Sequence, residues 1–113
     1  MTNHSVQSYH VLFYGSKQGY QTNRAQISLY DANNKTVAWI RFQDPEMFFE
    51  NDSVSNGIIK MHLPSTMFQN VLDVLRNEEP IRIYFTAGRA FLSSSLEPVG
   101  EEEFVELTEV GTN

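Results

Sequence analysis

Residues 57–88 carry the pattern that most constrains the fold of this chain. Ile58–Leu63 and Ile81–Thr86 alternate apolar and polar side chains, as half-buried strands do. Between them, Ser65–Asn77 has an apolar stripe with the spacing of an amphipathic helix. The stripe consists of Met67, Phe68, Val71, Leu72, Val74 and Leu75. Ser65 is placed to cap the first free N–H groups of this helix, and Pro80 ends it. The sequence therefore predicts one helix packed on a sheet.

Four further segments have strand character. They are Tyr9–Tyr14, Arg24–Tyr30, Thr36–Phe42 and Arg89–Leu96. The two middle segments are separated by Asp31–Lys35, whose Asp and Asn residues favour a tight turn, so we expect a hairpin there. The order is then β-β-β-β-α-β-β. This order predicts an α+β fold: a twisted, mostly antiparallel sheet of about six strands with one helix packed on it. The alternative is a partly closed β-barrel plus the helix.

The charge of the chain is distributed unevenly along a single domain. The length of 113 residues predicts one domain, which we place at residues 1–98, with residues 1–7 as a flexible arm and residues 99–113 as an acidic tail. The net charge is −6, and six glutamates but no base follow Arg89. Residues 1–96 contain eight acids and eight bases, so this part is neutral. The acidity of the whole chain therefore says little about the partner of the domain.

Cysteine content and hydropathy indicate the cellular compartment of the chain. The sequence contains no cysteine, which excludes disulfides and fits a reducing compartment. Met1–Ser8 is polar and lacks the apolar segment of a secretory signal. No apolar run approaches the ~20 residues that span a membrane. We therefore expect a cytoplasmic protein without a membrane partner.

The sequence contains no recognisable motif for catalysis or metal binding. Its three histidines, His4, His10 and His62, do not have the spacing of metal ligands on one element. Gly15–Gly19 contains two glycines and a lysine, but not with the spacing of a phosphate-binding loop. A nucleophile elbow of the Gly-x-Ser-x-Gly type is also missing. We therefore predict no catalytic residue, no metal and no cofactor, and we do not expect an enzyme.

The outward positions of the predicted strands carry aromatic and basic side chains. One sheet face is predicted to present Tyr30, Trp39, Arg41, Lys60, His62, Arg82 and Tyr84. Aromatic rings stack on bases at ~1–3 kcal/mol each and cations contact phosphates, so this face suits single-stranded nucleic acid. The acidic tail would then compete for the same face. Two observations argue against this interpretation: residues 1–96 are neutral, and such cross-strand pairs stabilise any half-exposed sheet.

A second candidate surface is the loop that follows Thr36–Phe42. It contains Met47, Phe48 and Phe49 among polar residues, and such apolar side chains mark a protein contact where they are exposed. Because one helix covers at most one face of a sheet, a second copy could cover the rest, which predicts a homodimer. Our first hypothesis is therefore a small non-enzymatic module that self-associates and binds another macromolecule. The alternatives are single-stranded nucleic-acid binding and small-molecule binding between helix and sheet.

Overall fold

The computed structural model describes residues 1–15, 24–46 and 49–94. In this part of the chain the strands are β1 (Thr2–Val6), β2 (Ser8–Phe13), β3 (Ala25–Tyr30), β4 (Thr36–Gln43), β5 (Ser53–Ser55), β6 (Ile58–Pro64), β7 (Ile81–Thr86) and β8 (Arg89–Ser94). The helix α1 (Phe68–Asn77) is preceded by a 3-10 turn, Ser65–Met67. The predicted α+β class is confirmed. The described residues contain eight strands, however, rather than about six.

The described strands form two sheets. A five-stranded sheet has the order β2-β3-β4-β6-β5, and a three-stranded sheet has the order β1-β7-β8. Neighbouring strands are antiparallel except for β4 and β6, which are parallel. The mostly antiparallel arrangement is therefore confirmed. The predicted single sheet is corrected to two, because β7 pairs with β1 and β8 and with none of the described strands of the larger sheet. The described strands do not close into a barrel.

β1 is the main departure from the sequence prediction. Residues 1–7 are predicted as a flexible arm, but Thr2–Val6 pairs along its whole length with β7, from Thr2 opposite Phe85 to Val6 opposite Ile81. His4 Nε2 also lies 2.8 Å from the backbone oxygen of Gly57. β1 is an edge strand that is held by its pairing with β7, and its polar sequence gives no hydrophobic pattern from which to predict it.

The strands predicted from the sequence do not include β5, which is only three residues long. It pairs with β6 across a turn formed by Asn56 and Gly57. Both turn residues have a positive φ, 53° and 79°, and Asn and Gly adopt this conformation more readily than other residues.

The core lies on the inward face of the five-stranded sheet and beneath the helix. Its buried members on this sheet are Ala25, Ile27, Leu29, Val37, Ala38, Ile40, Phe42 and Ile59, and the smaller sheet adds Ile83 and Ala90. Val37 lies at the register shift between β3 and β4. The helix contributes Phe68, Val71 and Leu75, which are part of the predicted apolar stripe. The Phe68 ring lies 5.0 Å from the ring of Phe42. Met67 is 40% exposed, because it belongs to the 3-10 turn rather than to the helix.

The start of the helix differs from the prediction in one detail. The Ser65 side chain makes no capping bond; its Oγ donates a hydrogen bond to Asp44 Oδ1 at 2.5 Å. The Arg24 guanidinium donates to the other carboxylate oxygen of Asp44. Asp44 therefore connects the residue before β3, the end of β4 and the start of the helical segment. The hydrogen bond from Arg24, followed by that from Ser65, holds the pKa of Asp44 below its usual value of 3.8.

The lowered pKa of Asp44 makes this cluster sensitive to acid. Its stabilisation is complete above the ordinary pKa that Asp44 has in the unfolded chain, and it is lost as the pH falls through the lower folded-state pKa. We expect Asp44→Asn to be less stable than the wild type at neutral pH. The variant should also lose less of its free energy of unfolding between neutral pH and about pH 3, as measured by urea unfolding. Glu46→Gln, at an exposed position, is the control. Equal acid sensitivity of Asp44→Asn and the wild type would refute this role.

Some predicted features lie outside the described residues. These are residues 16–23, Met47, Phe48 and residues 95–113, which include the acidic tail. The division into a domain at residues 1–98 and a tail at residues 99–113 stays a prediction. Among the described residues, no helix is both long enough and apolar enough to cross a membrane.

Candidate functional site

The outward face of the five-stranded sheet, opposite the core, brings several predicted site residues together. The strand register places Trp39 of β4 between Ser28 of β3 and Lys60 of β6. The same row continues to His10 of β2 on one side and to Ser53 of β5 on the other. Trp39 and Lys60 are half-buried, and His10 is exposed. Trp39 therefore lies at the centre of a row of five side chains that crosses the whole sheet.

Two cations lie against the Trp39 ring. The guanidinium carbon of Arg41, two residues further along β4, is 4.8 Å from the ring centre. Lys60 Nζ, from the paired strand, is 5.2 Å from it. Both distances are within the ~6 Å range of cation–π attraction. Gln26 Oε1 accepts a hydrogen bond from Arg41 Nε at 3.1 Å, which orients the guanidinium. We call this group of three residues the Trp39 site: Trp39, Arg41 and Lys60.

The Trp39 site has no acidic neighbour in the sheet. None of the five strands contains an aspartate or a glutamate. Within residues 1–15, 24–46 and 49–94, no carboxylate forms an ion pair with Arg41 or Lys60. As far as the described residues are concerned, the two positive charges are therefore available to an anion.

His62 occupies the next outward position of β6, opposite Arg41, but its side chain is covered. It is only 6% exposed, which differs from its prediction as an outward-facing residue. Two carboxylates from the connection between β4 and β5 lie beside its ring: Glu50 Oε2 is 3.8 Å from Nε2, and Asp52 Oδ1 is 3.6 Å from Nδ1. Neither ring nitrogen has a hydrogen-bond partner in the described part of the chain. His62 is thus a buried residue of the fold, out of reach of a ligand on the open face.

Asp52 holds the segment that covers His62 to both sheets. Its Oδ1 accepts the backbone N–H of His62 in β6 at 2.8 Å, and its Oδ2 accepts the backbone N–H of Ala90 in β8 at 3.1 Å. Gln43, which is 1% exposed, adds two hydrogen bonds to Glu50: Nε2 donates to Oε2 at 3.4 Å, and Oε1 accepts the backbone N–H at 3.2 Å. The segment is therefore fixed by strands β4, β6 and β8.

Arg82 and Tyr84 lie on the other sheet. Arg82 donates hydrogen bonds to Asn3 Oδ1 and Ser5 Oγ of β1, each at 2.9 Å. The Tyr84 ring stacks on Phe91, with 5.0 Å between ring centres. The seven predicted face residues are therefore divided between two sheets. Tyr30, at the end of β3, is half-buried and belongs to the sheet of Trp39.

Exposed apolar side chains lie along the edge of the five-stranded sheet. In β2, Leu12 is 42% exposed and Phe13 is 65% exposed. Within the described residues β2 pairs only with β3, so its other side is a sheet edge. Phe49, the described member of the apolar loop, is 48% exposed. Its neighbours Met47 and Phe48 lie outside the described residues, so the interface predicted at these three residues stays a prediction.

A cleft of about 410 Å³ lies at the C-terminal end of α1. Its walls come from the link between β1 and β2, the last helical turn and the residues before β7, and they include Tyr9, Arg76, Glu78 and Glu79. The cleft is thus beside the end of the helix. The small-molecule hypothesis places its site elsewhere, between the helix and the sheet.

Neither a metal centre nor a relative assigns a function to these residues. The described segments contain no group of three His, Asp or Glu side chains arranged to hold a metal ion. Comparison of the chain with known protein families, curated proteins and solved structures gave no match. Among the described residues, the Trp39 site is therefore the main indication of function.

Proposed function

We propose that this chain is a non-enzymatic module that binds an anionic macromolecule on the open face of its five-stranded sheet. The observation that carries the proposal is the Trp39 site, where Arg41 and Lys60 lie against one aromatic ring without an acidic neighbour in the sheet. An incoming anion gains both cations without first breaking an ion pair in the described structure. Charge complementarity of this kind speeds association and selects the partner.

The support beneath the Trp39 site also favours binding. Immobilising a long side chain on binding costs about 0.5–1.5 kcal/mol. Arg41 is already held by Gln26 and Trp39, so less of this cost remains when a ligand arrives. The strand neighbours Ile40 and Ile59 point to the other side of the sheet and are 0% exposed, so the site stands on the packed core. A rigid support of this kind keeps the binding groups in place.

The proposal predicts that the full chain binds at least one flexible polyanion. Trp39 is the only tryptophan of the chain, so its emission reports directly on the site. We expect a saturable change of this emission at low salt with inorganic polyphosphate, polyglutamate or a single-stranded oligonucleotide. Arg41→Gln and Lys60→Gln should weaken the binding, because each removes one cation that contacts the polymer.

Arg76→Gln is the matched control for these two variants. It removes an exposed cation from α1, away from the Trp39 site, and should leave the affinity unchanged. The proposal fails if none of the three polymers changes the Trp39 emission. It also fails if Arg76→Gln weakens binding as much as Arg41→Gln does.

A second candidate function is self-association through β2. This six-residue edge strand contains no lysine, proline or acidic residue, which are the usual protections of a sheet edge. Leu12 and Phe13 of the same strand are exposed. The β2 strands of two copies could pair antiparallel across a two-fold axis and bury these side chains.

Light scattering on the purified chain at tens of micromolar tests self-association. We expect the mass of a dimer for the wild type. Leu12→Lys should give a monomer, because a lysine on the edge opposes strand pairing. Ala32→Lys, in the exposed turn between β3 and β4, adds the same charge and should remain a dimer. A monomeric wild type would remove this candidate.

We also propose a cytoplasmic location. The support is compositional: a chain of 113 residues without cysteine suits a reducing compartment. Cell fractionation should recover the chain with cytosolic proteins, and recovery in an exported fraction would count against the proposal.

A further inference from the structure

We infer that the anionic macromolecule is a single-stranded nucleic acid, with one base stacked on Trp39 and the adjoining phosphates bound by Arg41 and Lys60. This inference rests on the proposed function, because it names the ligand of the same site. It makes a stronger claim, since the ligand must supply a planar ring as well as negative charge.

The position of Trp39 favours a ligand with a flat ring. The indole is half-buried at the centre of the outward sheet face, with the Arg41 guanidinium and the Lys60 ammonium over its ring, 4.8 Å and 5.2 Å from the ring centre. Within the described residues no hydrogen bond holds Lys60, so a stacking base takes the place of its ammonium on the ring and Lys60 turns to a phosphate. Unpaired bases stack on aromatic side chains of this kind, while nearby cations contact the backbone phosphates. An acidic peptide supplies carboxylates for the cations but no regular series of rings for the indole.

The polar neighbours of Trp39 are suited to the edge of a base. Ser28 lies beside Trp39 in the sheet and accepts a hydrogen bond from Gln26 Nε2 at 3.3 Å, so its own hydroxyl hydrogen can be donated to a ligand. Ser53 lies on the other side, next to Lys60. Hydroxyl groups both donate and accept hydrogen bonds. Base edges carry donors and acceptors together, whereas a carboxylate carries acceptors alone.

The local charge of the face fits a nucleic acid although the chain as a whole is acidic. Six glutamates of the chain follow Arg89 in the sequence, whereas the five strands of this sheet contain no acid. In a duplex the faces of the bases are stacked on one another. Only a strand with unpaired bases can therefore reach the ring and the two cations at the same time.

The test compares three labelled ligands of the same length on the full-length chain by fluorescence anisotropy. They are an oligothymidylate, an abasic strand with the same phosphates, and a duplex. We expect the abasic strand and the duplex to bind at least about tenfold more weakly than the oligothymidylate, which corresponds to the loss of one stacked base. Trp39→Leu should weaken oligothymidylate binding to a similar degree, and Trp39→Phe, which keeps a ring, should weaken it less.

The dependence of the binding affinity on salt concentration reports the number of phosphate contacts. Two contacts predict a slope of log affinity against log salt of about −1.4 for a single strand. Arg41→Gln or Lys60→Gln should reduce this slope to about −0.7, because each variant retains one contact. Arg76→Gln should keep the wild-type slope.

The outcomes separate this inference from the proposed function. Equal affinity for the abasic strand and the oligothymidylate would overturn the inference but leave an anionic ligand at the site. Tighter binding of polyglutamate than of the oligothymidylate would also overturn it, in favour of an acidic peptide. No binding of any polyanion would remove both. Circular dichroism checks that Trp39→Leu is folded; if it is not, the abasic strand decides, because it leaves the protein unchanged.

Discussion

Asp52→Ala is expected to lower the free energy of unfolding by about 3 kcal/mol. The Asp52 carboxylate accepts one backbone N–H from each sheet, that of His62 in β6 and that of Ala90 in β8. Alanine leaves both donors without this partner, and each buried donor that loses its partner costs about 1–3 kcal/mol. The substitution also releases the segment that covers His62. Urea unfolding followed by circular dichroism measures the loss.

Two further variants show whether the hydrogen bonds of Asp52 are the cause. Asp52→Asn keeps one oxygen acceptor and should lose about half as much stability as the alanine variant. Asp73→Ala removes a carboxylate on the exposed face of α1, which is bonded to Gln69, and should change the free energy of unfolding by less than about 0.5 kcal/mol. A change this small for Asp52→Ala would mean that Asp52 does not connect the two sheets.

Phe42→Ala is expected to lower the free energy of unfolding by about 3–5 kcal/mol. Phe42 is 0% exposed on the inward face of β4, and its ring meets that of Phe68 edge to face, with 5.0 Å between centres. The substitution leaves a cavity where the helix packs on the sheet. Domains of this size have a total stability of about 5–15 kcal/mol, so the variant should unfold at much lower urea than the wild type.

Phe13→Ala provides the comparison within the same aromatic cluster. The Phe13 ring is 5.1 Å from that of Phe68, but Phe13 is 65% exposed. Its truncation should therefore cost less than about 1 kcal/mol, because little apolar surface returns to water. Similar losses for the two variants would contradict the placement of Phe42 in the core and of Phe13 at its margin.

The strands with strong alternation could be predicted from the sequence. In β3 and β4 the inward positions are apolar and the turn between them is rich in Asp and Asn, so local pattern and local turn chemistry agree. The hairpin of β3 and β4 therefore forms as predicted, although the register shifts by one residue near Leu29. β7 likewise begins and ends where its alternation predicts.

The pairing of distant strands could not be predicted in this way. β1 is polar and is held in the smaller sheet by its pairing with β7, which lies more than seventy residues away in the chain. The parallel pairing of β4 and β6 depends on the long connection between them, and no local turn specifies it. The alternation of apolar and polar residues shows on which face of the sheet a side chain lies. It does not show which strand pairs with the strand of that residue.

The same distinction explains which parts of the site can be predicted from the sequence. Trp39 and Arg41 are two residues apart on one strand, so their common face follows from alternation. Lys60 joins them only because β6 lies beside β4. His62 is on the same side but is covered by Glu50 and Asp52, which come from a connection that has no periodic pattern.

The central claim is that the Trp39 site is a binding surface. The most direct test is to titrate the full chain with a single-stranded oligonucleotide and to follow the Trp39 emission at low and at high salt. We predict a saturable change at low salt that weakens as the salt concentration rises, because binding to Arg41 and Lys60 releases counterions from the phosphates. An emission that stays constant at both salt concentrations, with the oligonucleotide and then polyphosphate and polyglutamate in large excess, would contradict the claim.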